Sequence, residues 1–102
     1  MYDFPLTSAQ RAFLRSRGQT LEATLKVGRE GFTPALLLEL QRLLRAHELV
    51  KLRFVGSDRE ARATLSTKIA DDGRCVLVGA VGHTALFYRQ NPEAGERVVA
   101  LP

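Results

Sequence analysis

Cysteine is almost absent from this chain. The single Cys75 among 102 residues cannot bridge the chain to itself, and it cannot build a cysteine-rich zinc site. Tryptophan is missing and aromatics make up only 7% of the residues, so no aromatic pair forms a base-stacking platform. Phe13, Phe54 and Phe87 fall in apolar phase and are expected in the core, and Tyr88 is expected half-buried with a wet hydroxyl. No apolar run approaches the roughly 18 residues that span a bilayer. Residues 1–5 lack the basic and apolar regions of a signal peptide, so a soluble cytoplasmic protein with no membrane contact is expected.

Catalytic groupings are also lacking. The two histidines, His47 and His83, lie far apart, and neither has a Cys, Asp or Glu at metal-ligand spacing. Cys75 opens an apolar stretch and reads as an inert thiol rather than a nucleophile. Asp71 and Asp72 adjoin Gly73 and read as helix-end solvation. The sequence therefore predicts no enzyme, no metal and no cofactor.

What is present suits one globular domain over residues 1–102. The chain is 45% hydrophobic and 25% charged, with no repeat, linker or low-complexity stretch. Fifteen Lys and Arg against eleven Asp and Glu give a net charge of +4. That balance suits a polyanionic partner without proving one. The bases cluster: Arg11, Arg15 and Arg17 stand together without an acid, and Arg42, Arg45, Lys51 and Arg53 face only Glu39 and Glu48.

Thr7 followed by Gln10 is a capping-box signature for a first helix, with Gly18 as its stop. Residues 21–27 alternate apolar and polar, the mark of a strand with one buried face. After Gly28-Arg29-Glu30-Gly31, Thr33 and Pro34 open a second helix whose stripe is Leu36, Leu37, Leu40, Leu43 and Leu44. Residues 49–54 form a second strand with Val50, Leu52 and Phe54 on one face. Gly56-Ser57-Asp58 opens a third helix with Ala61, Leu65 and Ile69 aligned, and Asp71-Asp72-Gly73 ends it. Residues 75–81 read as a strand buried on both faces, and residues 84–88 as the last strand. The order is α-β-α-β-α-β-β. Two β-α-β units imply parallel pairing and the short last connection an antiparallel hairpin, giving an α/β two-layer domain with a small mixed sheet.

Gly28-Arg29-Glu30-Gly31 is the most informative local feature. Two glycines remove the Cβ atoms that block close approach, and the helix beyond turns unpaired backbone N–H groups toward the loop. Such a loop can clamp a sugar-phosphate backbone. It can equally be a tight strand-to-helix turn. Lys26, Lys51, Arg53, Arg11 and Arg15 could neutralise phosphates, or could simply be solvated surface. Arg42 and Arg45, near Glu39, read as surface.

With those residues placed, the chain resembles the CRM domain family, in particular its stand-alone bacterial YhbY-like members. The resemblance runs over residues 6–102. It is carried by Leu6-Thr-Ser-Ala-Gln-Arg-Ala-Phe-Leu-Arg15, Val27-Gly-Arg-Glu-Gly31, His47-Glu-Leu-Val-Lys-Leu-Arg53 and Asp58-Arg-Glu60. Val81-Gly-His-Thr-Ala-Leu-Phe-Tyr-Arg89 and Val99-Ala-Leu-Pro102 complete it. The resemblance implies an RNA-binding domain with a fold like the C-terminal domain of translation initiation factor three. Stand-alone bacterial members associate with precursors of the large ribosomal subunit, and plant relatives take part in organelle intron splicing. It further implies RNA contact by the loop Gly28, Arg29, Glu30 and Gly31, with the neighbouring bases supplying charge. Glu30 places a carboxylate there, so contact from the loop itself falls to its backbone N–H groups. The expectation is a monomeric ribosome assembly factor that binds precursor rRNA. The alternative is a protein-binding adaptor that joins assembling ribosomal particles through a ribosomal protein or GTPase with little direct RNA contact, the loop being only a turn.

Overall fold

Local signals set the helix starts. In the computed structural model, which describes residues 4–102, α1 spans Ser8–Gln19 behind a complete capping box. Gln10 N donates to Thr7 Oγ1 and Thr7 N to Gln10 Oε1, both at 3.0 Å. Helix α2 spans Pro34–His47, with Thr33 capping Leu36 N and proline at the first position. Helix α3 spans Arg59–Gly73, capped by Asp58 on Ala61 N at 2.8 Å.

The helix ends differ from expectation. Gly18 lies inside α1, because a Cβ there would meet Leu86 Cδ2 at 2.5 Å. Gly73 lies inside α3, because a Cβ there would meet Leu40 Cδ2 at 2.8 Å, and Arg74 takes the left-handed cap instead at φ 53°. Both glycines serve close packing rather than helix termination.

Four strands form one sheet in the order β1-β2-β4-β3, with β1 Leu25–Val27, β2 Leu49–Phe54, β3 Val76–Val81 and β4 Thr84–Tyr88. The mixed α/β sheet expected from the sequence is present, with three helices packed on it. Its first β-α-β unit pairs parallel, Leu25 beside Leu52 and Val27 beside Phe54. The second does not pair. β2 and β3 run the same way, but β4 lies between them, antiparallel to each. The central position belongs to β4, where Ala85, Leu86, Phe87 and Tyr88 are all buried. β3 is an edge strand, contrary to its expected burial on both faces, and Val81 is 81% exposed. β1 is three residues long rather than seven, and Leu21 lies outside it. Ala61 is exposed, leaving Leu65, Ser66 and Ile69 as the inward face of α3.

Side-chain alternation divides the core in two. Leu40, Leu43 and Leu44 of α2 and Ile69 of α3 pack on Val27, Val50, Leu52, Phe54 and Phe87. On the opposite face, Leu14 of α1 meets Leu49, Val78, Leu86 and Tyr88, joined by Val99 of the C-terminal tail. Tyr88 is fully buried and its ring meets Phe4 edge-on at 5.8 Å, so it does not reach a base.

Glu48 pins that tail. Fully buried at φ 63° after α2, its carboxylate accepts N–H bonds from Asn91 (2.6 Å), Val98 (2.7 Å) and Val99 (2.9 Å). A carboxylate can be buried when several donors converge on it, and three do so here.

Candidate nucleic-acid interface

Parallel pairing of β1 and β2 brings their C-terminal ends out of the sheet side by side. Val55 N donates to Val27 O at 2.9 Å, so the 28–31 loop and the 55–58 segment leave together. The β3–β4 turn joins them, with Phe54 N donating to His83 O at 2.8 Å. Helices α2 and α3 both start at this end, which directs two positive helix termini toward it.

Within the loop, Gly31 N donates to Gly28 O at 3.0 Å, and Gly31 adopts φ 77°, a conformation that favours glycine. Gly28 has no positive φ, and a Cβ there would meet nothing within 4 Å. Neither packing nor backbone geometry therefore requires glycine at position 28. The bare backbone opens onto a hollow of about 360 Å³ lined by Lys26, Arg29, Glu30, Thr33 and Leu36. The stem of Arg29 lies over Gly56, its Cγ 3.6 Å from the position a Cβ would take. That contact lays the stem of the exposed Arg29 against the 55–58 segment.

Register then aligns a row across all four strands. Lys26 pairs with Arg53, Arg53 with Thr84, and Thr84 with Val81. Arg53 lies two residues beyond Lys51, so the row sits on the face that α1 crosses. Lys26, Arg53 and Val81 are exposed.

The remaining expected positions separate. Lys51 Nζ donates to Gly18 O (3.1 Å) and Leu21 O (3.2 Å), capping the end of α1. Arg11 Nη1 donates to the carbonyls of Leu77 (3.1 Å) and Val78 (2.9 Å), at the bulge in β3. Strand β3 is the sheet edge farthest from the loop, so the structure does not gather Arg11 with the 28–31 residues. Arg15 lies over Gly79 on the same strand. Arg42 is paired with Glu39 on the outer face of α2, as its spacing suggested.

Sequence reasoning did not single out Arg62 and gave His83 no partner. Arg62 Nη1 donates to Ser57 O at 2.8 Å and stands 3.2 Å from His83 Nδ1, so it ties α3 to the β3–β4 turn. The only available signal was two bases just after the Asp58 cap.

Among the described residues no group of three or more His, Cys, Asp or Glu could hold a metal ion. Burial pushes the Cys75 thiol up to about 12, with Arg89 opposing the shift. No helix among the described residues is long and apolar enough to cross a membrane.

The loop at the start of α2 is thus open at Gly28, with Lys26 and Arg53 exposed at the same end of the sheet. The CRS1 / YhbY (CRM) domain model matches residues 6–89. This chain belongs to the CRM domain family. The family model stops at residue 89, short of the resemblance drawn to Pro102. A Pseudomonas aeruginosa protein, named as a probable RNA-binding protein, is 34% identical to this CRM domain over 93 residues, 91% of this chain and 89% of that one. A Haemophilus influenzae protein named as RNA-binding is 30% identical over 89 residues, covering 87% and 90%. The fold of this CRM domain is shared with the solution structure of a Staphylococcus aureus protein. The TM-score is 0.80 at 23% identity, over 96% of this chain and all of that one.

Proposed function

We propose that this CRM domain binds RNA and serves, as a cytoplasmic monomer, in assembly of the large ribosomal subunit by holding precursor rRNA. The observation that carries the reading is the shared end of β1 and β2. There the open 28–31 loop and the start of α2 stand beside Lys26, Arg29 and Arg53. Backbone N–H groups of the loop meet a phosphate, and Lys26 and Arg53 neutralise its neighbours. Such contacts fix position and affinity without reading sequence. Lys51 and Arg11, whose charged groups are engaged with backbone carbonyls, support the surface from within. The RNA-binding names of the relatives point the same way.

Affinity for large-subunit rRNA fragments across a salt series tests this reading. The logarithmic slope falls by roughly 0.7–0.9 for each neutralised phosphate. A Lys26→Glu/Arg53→Glu variant should therefore bind weakly and lose at least about 1.4 from the slope, two contacts' worth. Affinity indifferent to salt in the native protein would refute it. Binding to ribosomal particles that survives this double variant would favour the protein adaptor instead.

A further inference from the structure

Beside the Lys26–Arg53–Thr84–Val81 row lies a cleft of about 380 Å³, between the last turn of α1 and the sheet. Gly79, Ala80, Val81 and Leu86 form its apolar floor, while Arg15 and Lys51 stand on its rim. None of its lining residues is acidic. Gly79 serves this cleft in particular. A Cβ there would stand 3.2 Å from Arg15 Cδ, so glycine lets the arginine stem lie flat across the strand. Among the described residues Arg15 has no hydrogen-bond or ion-pair partner, so its planar guanidinium is free beside an apolar floor.

Resting on the RNA reading above, we infer that this cleft receives one unstacked base of single-stranded RNA, with the Arg15 guanidinium stacked on it. Size and charge select this occupant. The volume lies at the lower end of the roughly 300–1,000 Å³ typical of small-ligand sites, enough for one base and far below what a duplex segment fills. Its charged lining residues, Arg15 and Lys51, are both cationic, and Thr84 and Val81 belong both to the cleft and to the row that carries Lys26 and Arg53, where the adjoining phosphates lie. With aromatics scarce and mostly in the core, an arginine plane supplies the stacking surface that an aromatic ring supplies in other single-strand binders.

The test uses the full chain with a short oligouridylate carrying photoreactive 4-thiouridine, mapped by mass spectrometry. A fully paired RNA duplex is measured in parallel. Crosslinks should fall within residues 79–81. Arg15→Lys keeps the charge and the stem but removes the plane. It should weaken single-strand binding about five-fold or more, leaving duplex affinity, salt slope and thermal unfolding unchanged. Crosslinks confined to residues 26–31, or equal losses on single strand and duplex, would overturn the cleft while leaving RNA binding intact. Failure to bind either RNA would overturn both readings.

Discussion

Replacing Glu48 with glutamine preserves length and volume and removes one accepting oxygen. Oε1 accepts from Val98 N and Val99 N, and Oε2 accepts from Asn91 N at 2.6 Å. Whichever way the amide of Glu48→Gln turns, its NH2 group faces a backbone N–H. The smaller loss is one charge-assisted bond, worth ~1.5–3 kcal/mol, and the other two become neutral bonds. A neutral amide is less costly to bury, which returns part of this. The net cost is about 2 kcal/mol, a large share of the 5–15 kcal/mol typical of a domain. At about 4–8 °C per kcal/mol, Tm should fall by ~8–16 °C. Urea unfolding measures the free energy, and amide hydrogen exchange reads the latch directly. Asn91, Val98 and Val99 should be protected in the native protein and should exchange faster in the variant. A variant within ~0.5 kcal/mol of native, the range of ordinary surface changes, would refute the latch. So would free-chain exchange at those three amides in the native protein.

Two further outcomes follow from packing and from the buried thiol. Gly18→Ala should destabilise by ~1–3 kcal/mol in chemical unfolding, because its Cβ would fall 2.5 Å from buried Leu86; a stability gain would contradict the close approach. Cys75, raised to about 12 by burial, stays protonated in the fold, while the unfolded thiol ionises from pH ~8.5. Its stabilising contribution is therefore complete below that pH and lost as pH rises toward 12. The stability gap between native protein and Cys75→Ala should accordingly narrow from pH 8 to 11, and a constant gap would show that the thiol ionises alike in both states.

Much of this architecture was legible because its signals are local. The Thr7–Gln10 box, the Thr33-Pro34 start and the Asp58 cap depend on residues a turn apart, and each helix begins where they predict. Burial of the strands was not local. Residues 75–81 are as apolar as a central strand, but insertion of β4 leaves them at the edge. Gly18 and Gly73 look like helix stops in sequence, and only their distances to Leu86 and Leu40 reveal why they are small. Glu48 stood as one acid among nearby bases, and nothing local announces donors some fifty residues away. In the candidate interface, spacing singled out the 28–31 loop, Lys26 and Arg53 as expected contacts. It could not separate these from Lys51 and Arg11, whose charges bind carbonyls that the fold brings to them.

The central claim is that the 28–31 loop holds precursor rRNA of the large subunit. Crosslinking with sequencing in cells tests it most directly, comparing the native protein with a Gly28→Asp/Gly31→Asp variant shown to fold. A Cβ at either position meets nothing within 4 Å, and although the positive φ of Gly31 makes an aspartate there strained, carboxylates added beside the hollow repel phosphate. The account predicts discrete crosslinks in large-subunit rRNA that disappear in the variant. Crosslinks that persist unchanged, or no rRNA enrichment with the native protein, would contradict it.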